Sequence, residues 1–112
     1  MEINSIKSLD HLIDTINEKE GVLVYFSHEA CNVCKVLKPK VAELVENKFP
    51  KLQMVYSDTV KIPEAAGQNR IFAVPTILVF LDGKEYIRAS RNISVEDLQR
   101  QIERPYSMMF EN

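Results

Sequence analysis

Cysteine is scarce in this chain: two in 112 residues, Cys31 and Cys34. A short secreted chain held together by a disulfide framework carries four or more, so this pair is expected to do chemistry rather than to hold the fold. Long apolar runs are missing as well. None approaches the roughly 18 residues of a membrane helix, and no membrane association is expected. The opening stretch MEINSIKSLD has neither the basic nor the apolar segment of a secretory signal, which makes a reducing cytoplasm the expected location. Excess charge of either sign is absent too. The formal net charge is −2, which points away from nucleic acid and from anionic lipid surfaces. There is no internal repeat, linker or low-complexity stretch, so the expectation is a single domain over residues 1–112.

What remains is an ordinary globular composition, 46% apolar and 27% charged, in a chain long enough to bury its own core. A short strand is expected around Met1 to Ile6. Ser8 reads as a helix N-cap, followed by Leu9, Leu12, Ile13 and Ile16 at helical spacing, with Gly21 expected at the C-cap. The run Val22–Phe26, VLVYF, is continuously apolar and β-favouring, the pattern of a central strand covered on both faces. A second helix follows the cysteines, with Val36, Leu37, Val41, Leu44 and Val45 as its apolar stripe, Pro39 inside it and an end near Phe49-Pro50. Leu52–Asp58 reads as a strand, and Pro63 opens a short helix. Asp82-Gly83 marks a hairpin turn between strands at Thr76–Leu81 and Glu85–Ala89. Ser94 caps a last helix, with Val95, Leu98 and Ile102 on one face and Pro105 expected to stop it. The order β-α-β-α-β-α-β-β-α implies an α/β fold: a central mixed sheet with helices on both faces.

Cys-x-x-Cys is compatible with half a zinc site, a static disulfide clip or a redox dithiol. Position separates them. Cys31 follows the buried strand across the loop His28-Glu29-Ala30 and starts a helix. Residues at i and i+3 in a first helical turn lie about 5–6 Å apart at Cα, a span a disulfide tolerates. Helix N-terminal amides and the helix dipole stabilise a thiolate at Cys31 and lower its pKa below the free value of about 8.5. Lys35 and Lys38 add positive potential. Cys34 points back toward the base of the helix, buried and less acidic, so that one thiol attacks and the other resolves. A zinc site needs two further ligands; beyond His28, His11 lies on the first helix and no other candidate is evident, so no metal is expected.

The run VLVYFSHEACNVCKVLKP followed by IFAVPTILVFLDGK resembles the thioredoxin family over essentially the whole chain. Three features carry the likeness. A Cys-x-x-Cys opens a helix after a buried strand, Pro39 stands five residues after the second cysteine, and Val74-Pro75-Thr76 precedes a strand where that family has a cis-proline facing the cysteines. The resemblance implies the thioredoxin fold and thiol–disulfide exchange, with Cys31 as nucleophile, Cys34 as resolving cysteine and Pro75 as the cis-proline. Proline is the residue whose cis peptide is cheap enough to build in, and it leaves the backbone of Val74 free to pair with a substrate chain. Substrates would be protein disulfides. The electron donor would be a thiol reductase, and no organic cofactor is needed beyond the redox-active Cys31–Cys34 pair itself.

Some positions depart from that family. Ala30 replaces its tryptophan before the first cysteine, and Asn32-Val33 replaces Gly-Pro between the cysteines. Tyr25 occupies the strand position of its buried acid, the group that helps deprotonate the resolving cysteine. Ala30, Phe72, Val74 and Pro75 are the candidate substrate-groove residues, with Phe72 forming an apolar lip if Ile71 points inward and Phe72 outward. Asn92 is expected in a loop bordering the same face. His28, Glu29 and Lys35 are candidates for tuning the thiolate; for His28 the alternative is a solvated loop residue. The competing functional expectation is a thioredoxin-fold binding or adaptor domain whose dithiol is vestigial or a redox sensor.

Overall fold

A computed structural model describes residues 3–111. The element order is β1 (Asn4–Ser5), α1 (Leu9–Glu18), β2 (Gly21–Ser27), α2 (Asn32–Lys48), β3 (Gln53–Asp58), α3 (Pro63–Gln68), β4 (Thr76–Leu81), β5 (Lys84–Ser90) and α4 (Val95–Phe110). The expected order therefore holds. Met1 and Glu2, the start of the expected first strand, lie outside the described residues.

The strands form one sheet in the order β1-β3-β2-β4-β5. β1 and β2 both run parallel to β3, whereas β4 is antiparallel to β2 and to β5. β2 is central, and all seven of its residues are buried. Its side chains alternate between two cores. Leu23 and Tyr25 join Leu37, Val41, Leu98 and Ile102 beneath α2 and α4. Val22, Val24 and Phe26 join Leu12, Ile16 and Ala65 beneath α1 and α3. A strand covered on both sides has no polar face, which is why VLVYF reads as an unbroken apolar run.

Local chemistry sets the boundaries. Ser8 Oγ accepts from the His11 amide at 3.0 Å, and Ser94 Oγ from the Asp97 amide at 3.3 Å, so both expected caps form. The Asp82-Gly83 turn has positive φ at both residues, 52° and 78°, as a tight primed hairpin turn requires.

Several boundary expectations are corrected. Gly21 does not cap α1, which ends at Glu18 with Lys19 as its C-cap; it opens β2, where a Cβ would lie 2.7 Å from Leu52 Cδ2, so the close approach of neighbouring side chains favours glycine there. Val36 is not in the buried stripe of α2 and is 62% exposed. The buried residues Cys34, Leu37, Val41, Leu44 and Val45 follow the helical period, and Val36 falls outside their arc. Ile13, the third member of the expected α1 stripe, is 39% exposed.

Pro105 does not end α4, which continues to Phe110. The last turn is held by tertiary contacts that outweigh the hydrogen bond proline cannot make. Tyr106 is buried, packs edge-on against Phe49 with centroids 5.0 Å apart, and accepts a hydrogen bond from the Lys51 amide at 3.1 Å. Phe110 tilts onto Tyr106 at 4.8 Å, and Met109 also packs on this core. Tyr106→Ala is therefore expected to cost about 3–5 kcal/mol, the usual loss for truncating a buried aromatic, read as a drop in unfolding free energy in urea. A loss below about 1 kcal/mol would show that the segment after Pro105 does not support the core.

Candidate functional site

The site forms where β2 ends and α2 begins. Cys31 is the N-cap of α2, and Cys34 lies in its first turn. Their Cα atoms are 5.2 Å apart and the sulfurs are joined as a disulfide. The Cys34 N–H donates to Cys31 Sγ at 3.2 Å, so the sulfur takes the place a serine or aspartate oxygen holds at other helix starts. Cys31 is half-buried, whereas Cys34 is 1% exposed and belongs to the core beneath α2. The difference in burial expected between the two cysteines is present.

Tyr25, at the position of the missing acid, is completely buried. Its hydroxyl donates to the Cys34 carbonyl at 2.7 Å. Its ring stacks on Tyr56 of the neighbouring strand with centroids 6.4 Å apart, and Lys38 Nζ sits 4.2 Å above the Tyr56 ring. Burial first, and the nearby Tyr56 second, push the Tyr25 hydroxyl up to about 12. At neutral pH this group is a donor that holds the helix tip and has no capacity to act as a base.

The segment leading into β4 reaches the same end of the sheet. In the antiparallel register Phe26 pairs with Thr76, so Pro75 lies level with the end of β2, where the loop to Cys31 departs. The Val74–Pro75 peptide is cis. Val74 and Cys31 pack against the same core. The Pro75 carbonyl accepts from the Arg91 amide at 2.9 Å, which ties the Arg91–Ile93 loop, including exposed Asn92, to this segment. Phe72 is 90% exposed, while Ile71 packs inward against the core beneath α1 and α3, so the two residues alternate out and in. Ala30 is exposed beside Cys31.

The remaining candidates sit elsewhere. His28, Glu29 and Lys35 line a pocket of about 540 Å³ that also contains Cys34, Lys38, Tyr56 and Asp58. These groups therefore cluster on the Cys34 side. Glu29 forms an exposed ion pair with Lys61 at 3.5 Å. His11 is on α1, where its Nδ1 accepts from the Lys7 amide at 2.9 Å. Asp58 escaped the sequence reading because its polar character is typical of a strand end; its pairing with Ser27 was the missing signal.

Tyr25 generates a direct test. A hydroxyl whose pKa is raised by folding, from about 10 to about 12, adds stability that is complete below pH 10 and is lost as pH rises through 12. Tyrosinate absorbance is expected to show one late-titrating tyrosine that disappears in Tyr25→Phe. That variant should lose about 1 kcal/mol, one buried hydrogen bond. A Tyr25→Phe titration superimposable on the wild type would refute the assignment.

Comparison with known proteins agrees with this geometry. The thioredoxin family model matches residues 5–104. The chain is 28% identical over 107 residues to the thioredoxin-like protein YdfQ of Bacillus subtilis, spanning 96% of this chain and 95% of that one. It is 34% identical over 92 residues to thioredoxin of Chlamydia muridarum, spanning 82% and 85%. Some curated relatives are longer, and the chain spans only about half of their length, 49% and 51% in two cases. Among solved structures, Fasciola hepatica thioredoxin superimposes with a TM-score of 0.82 at 29% identity, covering 91% of this chain and 98% of that one. With this fold and a Cys31–Cys34 pair at disulfide distance, the chain belongs to the thioredoxin family and is a thiol–disulfide oxidoreductase.

Proposed function

We propose that Cys31 is the attacking thiol and Cys34 the resolving thiol in the reduction of protein disulfides. The observation that carries this reading is the Cys34 N–H directed at Cys31 Sγ at the start of α2. A helix N-terminus with its amide aimed at one sulfur favours the anionic form of that sulfur, and the thiolate is the nucleophile. Cys31 is the accessible member of the pair.

The reaction runs in two exchanges. The Cys31 thiolate attacks one sulfur of a substrate disulfide, forming a mixed disulfide and releasing the first substrate thiolate. Cys34, once deprotonated, attacks Cys31 Sγ. The Cys31–Cys34 bond forms, the bond from Cys31 to the substrate breaks, and the second substrate thiolate leaves. Two electrons pass from the dithiol to the substrate, and no organic cofactor or metal takes part. Ala30, Phe72 and the backbone of Val74 beside Pro75 form the surface on which an extended substrate segment docks. Lys35 adds positive charge near the dithiol.

Family membership points to protein disulfides as substrates and to a reductase as electron donor in general. We place the protein in a reducing cytoplasm, where it works in the reductive direction as one thioredoxin-like unit and contributes to electron transport and redox homeostasis. A chain whose cysteines are confined to one dithiol suits that setting. Among the described residues, no helix is long and apolar enough to cross a membrane.

Insulin reduction tests the proposal. The reduced wild type is expected to cleave insulin disulfides. Cys31→Ser should fall to the uncatalysed background, and Cys34→Ser should stop as a mixed disulfide on Cys31, detectable by mass. A wild type no faster than Cys31→Ser would instead favour the adaptor or sensor role.

A further inference from the structure

Resolution of the mixed disulfide requires Cys34 to lose its proton, and Tyr25 donates a hydrogen bond to the Cys34 carbonyl instead of accepting one. The sheet register shows what else lies below the helix tip. Tyr25 pairs with Tyr56, and two residues further on Ser27 pairs with Asp58. Side chains alternate along a strand, so Asp58 shares the α2-facing side with Tyr25 and Tyr56, one step nearer the strand ends, where α2 begins. Asp58 is 7% exposed and lines with Cys34 the pocket of about 540 Å³, ample for several water molecules.

The carboxylate is held in place. Asp58 Oδ1 accepts from the Val60 and Lys61 amides at 2.9 and 3.0 Å. Oδ2 has no hydrogen-bond partner among the described residues, yet Ser57 Oγ is the sole sealed, partnerless side-chain atom among them, so Oδ2 keeps contact with the solvent of the pocket.

The other titratable groups facing this pocket come from every surrounding element. Lys7 precedes α1, Lys35 and Lys38 belong to α2, and Lys61 follows β3; these ammonium groups offer no acceptor. Tyr56 on β3 lies under Lys38. His28 and Glu29 come from the loop after β2, and Glu29, with an 80% exposed side chain, is paired with Lys61 across the pocket.

We propose that Asp58 is the proton acceptor for Cys34. Pocket water relays the proton from Cys34 Sγ to the Asp58 carboxylate, and the resulting thiolate attacks Cys31 Sγ as described above. The substrate sulfur departs with the bonding electron pair, and Asp58 later returns its proton to solvent through the pocket. The inference rests on the disulfide-exchange reading and extends it to the base for the second step.

The test is stopped-flow mixing of the reduced protein with dithiobis(nitrobenzoate), whose coloured thiolate is released once by Cys31 attack and once more by Cys34 resolution. Asp58→Asn keeps the Oδ1 acceptor for the two amides but removes the base. It is expected to leave the first release unchanged and to slow the second by roughly tenfold or more at neutral pH. The deficit should close at strongly alkaline pH, where the buried thiol of Cys34 ionises unaided. Asp58→Glu should restore part of the rate, and it serves as the reference if Asp58→Asn is unfolded by circular dichroism: a second release in Asp58→Glu with the wild-type pH profile supports the proposal, and one with no pH-dependent component overturns it. Equal second-phase rates in Asp58→Asn and wild type overturn it. So does a slowing that persists at high pH, or the same pH-dependent loss in His28→Gln or Glu29→Gln. No first release from the wild type would defeat the disulfide-exchange reading itself, a separate result.

Discussion

Cys34 fixes the site through three of its own groups. Its amide donates to Cys31 Sγ, its carbonyl accepts from Tyr25, and its side chain is buried against the core beneath α2 at the edge of the pocket it shares with Asp58. Each bond constrains a different partner. The amide holds the Cys31 sulfur at the helix tip, the carbonyl ties that tip to the central strand, and burial sets the height of the turn over the sheet. Because β2 is buried along its whole length, Tyr25 has little room to move, and the first turn of α2 inherits that rigidity. A low-pKa cysteine needs such an arrangement, since the stabilising amides act only over hydrogen-bonding distance.

A phenol at position 25 alters how the two sulfurs are served. A carboxylate there would place negative charge under the helix and offer a proton acceptor. The phenol offers neither, since its hydroxyl is pushed up to about 12. It gives α2 a neutral, short tether instead. The stack of Tyr25 on Tyr56, with Lys38 above the second ring, fills the space beside Cys34 with aromatic surface capped by a cation. In the proposed relay, acid–base work falls to Asp58 at the strand ends, where it and the lysines around it line the pocket beside Cys34. Holding the helix and moving the proton become tasks for different residues.

Much of this was legible in the chain. VLVYF announces a doubly covered strand because it has no polar alternation, and Ser8, Ser94 and Asp82-Gly83 act through local hydrogen bonds and backbone preferences that work in any context. The cysteine spacing, Pro39 and Val74-Pro75-Thr76 together were enough to indicate the chemistry. The misreadings share a cause. Pro105 is a helix breaker by local rules, but Tyr106 packs against Phe49 from far away in sequence, Phe110 packs on Tyr106, and the helix continues. Gly21 is flexible by local rules, but its position is decided by crowding from Leu52, Phe110 and Leu81. Asp58 was hidden for the same reason, since only strand pairing brings it to the Cys34 pocket.

The acidity of Cys31 is the most direct test of the helix-tip account. Fully reduced protein is titrated while the rate of alkylation at Cys31 is followed across pH, with mass analysis to separate it from buried Cys34. An amide and a helix N-terminus directed at that sulfur predict a midpoint at least about one unit below the free-cysteine value of about 8.5. A midpoint at or above about 8.5 would contradict the account, because the helix tip would then contribute nothing to the thiolate.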